Sequence, residues 1–174
     1  IYPELMEGKG LVQATDFHAY DVFNHNMHTF EAAPPRLEMR LAGLLHDVAK
    51  PRQCKINNGK MYGHDTVGAE MAHEMLLRTG FDKATPQEVC RLIGRHMFDL
   101  DGRAKVSTCR KRFATWGFGF AQDLILMRRT DIEGSGRPAS PLGTPEKWQA
   151  ILDTMRSEGA IDDYADMQID GKDI

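Results

Sequence analysis

Seven histidines stand at positions 18, 25, 28, 46, 64, 73 and 96, and several fall where a helix would bury them. His46 is followed directly by Asp47, in the string LAGLLHDVAKP. Neutral imidazole and carboxylate together suit manganese, iron, cobalt, nickel or zinc, and carboxylate with water also admits magnesium. Such an ion lowers the pKa of bound water and polarises a phosphoryl oxygen, the two effects a hydrolase needs. Asp131 continues the face of Leu124 and Arg128 at helical spacing. A carboxylate buried there is costly unless a cation compensates it. His96 lies on the stripe of Val89, Leu92 and Ile93. His46 lies beside the small residues Ala42 and Gly43, which leave room for a neighbour. A metal is the simplest compensation for His and Asp gathered from different helices. Adjacent helical residues point about 100° apart, so His46 and Asp47 share one ion only near a helix end.

Blander readings compete for each of these residues. A lone histidine on an apolar face is most often a satisfied core residue, and His18 and His73 are assigned to the core on that ground. His25 and His28 form an HxxH, either a local metal pair or a ligand with a surface or supporting neighbour. A His-Asp dipeptide arises often by chance. This one gains weight from its buried helix, the Lys-Pro that follows, and its partners at His25 and Asp131. Asp65 reads as a helix cap rather than a ligand. Asp99-Leu100-Asp101 has the carboxylate spacing of nucleotidyl transfer, but no strand or Gly-Gly-Ser turn precedes it, so it reads as an inter-helix loop.

Helices must carry these groups. Leu37, Leu41, Leu44, Leu45 and Val48 recur at helical spacing over Pro35 to Lys50, and Met39, Ala42, Gly43 and His46 form a second uncharged face. A helix apolar on two faces lies between neighbours. Pro51 is expected to end it. Residues 18–32 read as a preceding helix, and 52–63, with its Asn-Asn-Gly, as a loop or small hairpin. Asp65 or Thr66 is expected to cap a helix bearing Val67, Ala72 and Leu76. Thr85-Pro86-Gln87-Glu88 reads as a capping box, and Ser107 as the start of another helix with Phe113 and Trp116 buried. Gly117 and Gly119 interrupt the pattern, which resumes over 120–132. Residues 133–143 form the clearest loop, and Thr144-Pro145 opens a last helix with Trp148. The expectation is an all-α bundle of roughly seven or eight helices, with no strong strand and no repeat.

A chain of 174 residues suits one domain and can bury a real core. Its net charge of −3 carries no global basic excess, so any nucleic-acid contact must come from a local patch. Arg103, Lys105, Arg110, Lys111 and Arg112, with Phe113 and Trp116 nearby, form the candidate patch; its alternative is a solvated helix face. Cys54, Cys90 and Cys109 are odd in number and lack CxxC spacing, which fits a reducing compartment and no cysteine metal site. No apolar run approaches membrane-spanning length, so no membrane partner is expected and a cytoplasmic setting is.

The motifs DVFNHNMHT, RLAGLLHDVAKP, YGHDTVGAEMA, LIGRHM and LILMRRTD, in that order, resemble the HD superfamily of metal-dependent phosphohydrolases. More narrowly they resemble the HD domain of bacterial tRNA nucleotidyltransferases, the CCA-adding enzymes and poly(A) polymerase relatives. IYPEL and MQIDGKDI are similar to the two borders of that domain, and IDGKD to the start of an RNA-binding tail. The resemblance implies one HD-domain helical bundle over 1–174 with short flanking segments. The chain begins at Ile1 rather than Met, and is read as a piece of a longer protein of that kind. It further implies that His25, His46, Asp47 and Asp131 hold a divalent metal. His64 and His96 then hold a second ion or contact substrate phosphate, and Lys50 contacts phosphate. Arg128 and Arg129 are candidate phosphate clamps beside Asp131.

The function expected is hydrolysis of a phosphate ester: a nucleotide, a 2′,3′-cyclic phosphate or an RNA end. Asp47, Lys50, His64 and His96 are the catalytic candidates, with a metal-activated water attacking phosphorus in line. One alternative is a structural or tRNA-placing module without hydrolysis of its own, which would have no need to bury a full set of metal ligands. Another is a nucleotide sensor without turnover.

Overall fold

A computed structural model of the chain describes residues 1–13, 16–137 and 143–160. The borders of the first long helix follow from one carboxylate. Asp21 accepts hydrogen bonds from the backbone N–H of Asn24 (2.7 Å) and Gly10 (2.8 Å). It therefore caps α1, Val22–Ala32, four residues later than periodicity predicts, and ties down the segment before it. A short 3₁₀ turn, Pro3–Gly8, packs against α1.

The next stretch departs from expectation in a way that matters for the site. α2 is Leu37–Leu45, and the chain then breaks into a turn at 46–49 before α3, Lys50–Ile56. Pro51 sits in the first turn of α3, where its missing N–H and fixed φ are compatible with a helix start. It opens a helix rather than ending one. His46 and Asp47 thus lie on a turn between two helices, which frees them from the 100° divergence of a continuous helix. Only the end of the expected 52–63 loop survives, as a tight turn bridging Asn57 and Lys60 with Asn58 at φ 51°.

α4, His64–Arg78, starts after Gly63 with no side-chain cap; Asp65 and Thr66 lie inside its first turn. There Asp65 complements the helix dipole instead of capping. α5, Ala84–Ile93, begins before the expected capping box, and the Asp82 carboxylate accepts from Thr85 N–H at 3.0 Å. α6, Val106–Trp116, starts one residue before Ser107, with Phe113 buried and Trp116 half-buried. Gly117 breaks the chain at φ 85°, whereas Gly119 lies within α7, Phe118–Gly134. α8 is Gly143–Ser157, with Trp148 fully buried. Asp99 occupies the left-handed region (φ 46°), and its carboxylate accepts from Ala104 N–H (2.6 Å) and Trp148 Nε1 (3.0 Å). The Asp-x-Asp loop therefore anchors α8.

α2 is the central helix, against α1, α5 and α7, which accounts for its two uncharged faces. Its Met39, Ala42 and Leu45 are buried with Leu76, Ile93 and Leu124 of neighbouring helices. Eight α-helices and no strand beyond isolated bridges make an all-α bundle among the described residues. The three cysteines are free. Among the described residues no helix is long and apolar enough to cross a membrane. The middle of the 133–143 loop and the closing MQIDGKDI lie outside the described residues.

Candidate metal centre

Four histidines are held by the same device. Nδ1 of His46, His64 and His96 lies 2.9, 2.7 and 2.7 Å from the carbonyls of Gly43, Met61 and Ile93, each three residues back. His25 Nδ1 reaches across to the carbonyl of Gly134 at the end of α7, 3.2 Å away. A carbonyl only accepts, so each Nδ1 carries a hydrogen, and each ring, when neutral, presents Nε2 as a lone pair. The His25 contact needs α1 and α7 to approach closely. A Cβ at Gly134 would fall 2.3 Å from Thr29 Oγ1 and 2.7 Å from its Cα, so only glycine fits.

The four Nε2 atoms converge. His25 and His46 Nε2 are 3.1 Å apart, and His64 and His96 Nε2 are 3.2 Å apart. Lone pairs facing at that distance repel unless a cation or a shared proton lies between them. Two buried carboxylates complete the constellation. Asp131 Oδ1 lies 3.0 Å from His25 and 3.5 Å from His46. Asp47 faces both pairs: Oδ2 lies 3.2 Å from His46 and 3.5 Å from His25, while Oδ1 lies 3.2 Å from His64 and 3.7 Å from His96. Both Asp47 oxygens are buried; Oδ2 is ion-paired with Lys50 at 2.5 Å, and neither oxygen makes a well-aligned hydrogen bond. Two sets of three result, His25–His46–Asp131 and Asp47–His64–His96, with Asp47 between them. Donors about 2.1 Å from a tetrahedral ion lie about 3.4 Å from one another, so the observed separations fit a metal.

Electrostatics agree with that fit. Burial works against a charge on His46, but Asp47 and Asp131 outweigh it and push the imidazole up to about 10. Burial likewise opposes ionisation of both aspartates. His46 and Lys50 nevertheless hold Asp47 well below the usual carboxylate range, and His25 and His46 do the same for Asp131. Burial lowers His96. A divalent ion would take the place of the proton that these carboxylates hold on His46.

A cavity of about 480 Å³ opens onto the cluster. Lys50, nearly buried, sits 2.5 Å from Asp47 Oδ2 and donates to Gln13 Oε1 at 2.6 Å. Gln13 Nε2 is buried without a partner on the same wall. Arg128 lines the cavity, and its two terminal nitrogens are engaged, Nη1 donating to Asp131 Oδ2 (2.7 Å) and Nη2 to the Leu100 carbonyl (3.2 Å), while Nε is buried without a partner. It orients a carboxylate rather than standing free as a clamp, and Arg129 does not line the cavity.

Sequence reasoning missed two residues here. His18, assigned to the core, lies half-buried on the cavity wall, edge-on to His25 at 4.6 Å between ring centroids. Its Nδ1 is buried without a partner, and burial, with Lys50 and His25 nearby, pushes it down to about 4. Gln13 had no signal at all, being an amide in an irregular segment. His73 is exposed on the outer side of α4 rather than in the core. His28 pairs with Glu31 (3.3 Å) and stacks on Tyr20, so HxxH is one cluster residue and one surface residue.

The HD domain family model matches residues 23–142, a span that contains all six cluster residues. The A-adding tRNA nucleotidyltransferase of Deinococcus radiodurans is 33% identical over 150 residues, covering 79% of this chain and 33% of that protein. The CC-adding tRNA nucleotidyltransferase of Thermus thermophilus is 31% identical over 118 residues, 66% of this chain and 26% of that protein. The chain thus spans a third or less of the length of these relatives. No solved structure matches.

Proposed function

We propose, from the premise that this chain belongs to the HD domain family, that it hydrolyses phosphate esters of nucleotides or RNA ends at a divalent-metal centre within a tRNA nucleotidyltransferase-like protein. The observation that carries this reading is the convergence of four Nε2 atoms on Asp47 and Asp131, two buried carboxylates, with each Nδ1 turned to a backbone carbonyl. Without a metal the cluster's positive charge comes from Lys50 and a proton on His46, and a divalent ion would supply that charge at its centre.

His25, His46, Asp47 and Asp131 would hold one ion, and His64 and His96 could help to hold a second. Bound there, a divalent ion lowers the pKa of water and polarises a phosphoryl oxygen. The remaining work falls to the chain. The backbone carbonyls keep each imidazole in the tautomer that points Nε2 inward. Arg128 holds Asp131 in place. Lys50 Nζ and the unpartnered amide of Gln13 are placed to donate to phosphate oxygens and offset the charge that develops as water attacks phosphorus and the ester oxygen leaves with a proton. The cavity volume suits a nucleotide-sized group.

The relatives are named as tRNA nucleotidyltransferases and not as hydrolases, which supports a second reading, a tRNA-placing module without hydrolysis of its own. One experiment separates the two. The purified chain is analysed for metal, and its turnover of bis-p-nitrophenyl phosphate is followed across added divalent ions. Stoichiometric metal and metal-dependent turnover, both lost in a folded His46→Ala variant, support hydrolysis. Turnover that survives His46→Ala, or its absence with every ion, would discard it.

A further inference from the structure

A second, smaller pocket adjoins the metal cavity, and Met97 forms part of both walls. Arg95, Arg112, Phe98, Trp116 and Asp65 line it. Three guanidiniums, Arg91 and Arg95 four residues apart and Arg112 from α6, crowd the rings of Trp116 in this wall and Phe120 beside it. Arg91 lies 4.1 Å above Phe120, Arg95 lies 5.7 Å from Phe120 and 5.8 Å from Trp116, and Arg112 lies 6.0 Å from Trp116. Arg91 is partly neutralised by Glu88 at 3.6 Å. Arg95 and Arg112 make no ion pair among the described residues, not even with Asp65 on the same wall. Burial, then Arg91 and Arg112, works against the charge on Arg95.

Arg95 and Arg112, like charges without carboxylate partners among the described residues, are unfavourable together in the free protein and favourable around an anion. The ring faces hold the guanidiniums in place by cation–π attraction, so less freedom is lost when they bind. Guanidinium forks match phosphate oxygens in pairs. The basic run seen in the sequence resolves accordingly. Arg103 pairs with Asp101 and Arg110 with Glu158, and of that run Arg112 alone lines this pocket.

Two guanidiniums that share the Trp116 ring suit successive phosphates of one strand rather than a lone phosphate. The adjoining metal cavity, at about 480 Å³, admits a single nucleotide and not a duplex. We infer that this patch is a backbone track for single-stranded RNA: a strand with its end in the metal cavity lays its next phosphates on Arg95 and Arg112. The strand's direction toward the metals rests on the phosphohydrolase reading; the contact of RNA with the arginines does not.

The test uses a fluorescein-labelled RNA octamer, with anisotropy titrations in EDTA over a range of salt. Loss of two phosphate contacts in Arg95→Ala/Arg112→Ala is expected to weaken binding about tenfold or more and to reduce the slope of log K against log salt by about 1.4. Should the Arg95 change impair folding, Arg112→Glu alters an exposed position alone, and a weaker affinity with a shallower salt slope is again expected. Variants that bind the octamer like the unaltered chain at every salt would overturn the track. Turnover of bis-p-nitrophenyl phosphate by the unaltered chain is read separately. Arginine-dependent RNA binding without turnover removes the hydrolase and keeps the track; turnover with arginine-independent RNA binding does the reverse.

Discussion

The two sides of the metal cavity are built from different kinds of contact. On one side His25, His46 and Asp131 come from α1, the turn after α2, and α7. His25 is oriented by a carbonyl on another helix, and Asp131 by Arg128. On the other side His64 and His96 are each oriented by a carbonyl three residues back, within their own turns. On the first side His25 and Asp131 depend on contacts beyond their own turn while His46 uses a local one; the second side needs only correct local turns brought together. Asp47 belongs to both. A cluster of this kind places its buried charge on a junction, so disturbances should separate by side.

The largest effect is expected at that junction. Asp47→Asn preserves shape but removes the charge shared by both sides. Metal content should fall for both sets, and metal-dependent turnover by more than about 100-fold, since loss of an outer-shell partner alone costs 10–100-fold. Elemental analysis with the bis-p-nitrophenyl phosphate assay checks this. One ion retained at full affinity would show the two sides to be independent.

Arg128→Gln sharpens the contrast. It frees Asp131 Oδ2 and leaves His64 and His96 untouched. One of two ions is expected to weaken about 10–100-fold in calorimetric titration while the other holds. Equal weakening of both would refute the separation by side.

The smallest effect lies at Asp21, which caps the helix bearing His25 and ties down the segment bearing Gln13. Asp21→Ala should cost about 1 kcal/mol in denaturant unfolding. Burial opposes its ionisation, but the N–H groups of Asn24 and Gly10 win and hold its carboxyl below the usual value. The stability it contributes is therefore present above about pH 4, the unfolded-state value, and lost as pH falls through the depressed folded value. The variant's stability should depend less on pH in that acid range, and an unchanged acid profile would assign the cap no role.

The helices were legible because apolar residues recur at 3.6-residue spacing wherever a face is buried, as from Leu37 to Leu45 and from Ala121 to Met127. Helix ends were less so. Thr85-Pro86-Gln87-Glu88 has the composition of a capping box, yet the nearby Asp82 serves the same N–H, since either residue satisfies the same orphan donor. Pro51 carries the same ambiguity, because proline both ends a helix and begins one.

At the site, residue type and helical spacing pointed to His46, Asp47, His96 and Asp131, because buried imidazole and carboxylate need compensation, and the family resemblance added His25 and His64. Tertiary structure decided the rest. Periodicity cannot show that Asp47 turns one oxygen to each pair, that Arg128 is spent on Asp131, or that His18 and Gln13 face the cavity while His73 faces outward. Those outcomes depend on where separate helices and irregular segments meet in space. The α1–α7 approach is the plainest case: only a glycine at 134 lets Thr29 come close enough for His25 to find its carbonyl.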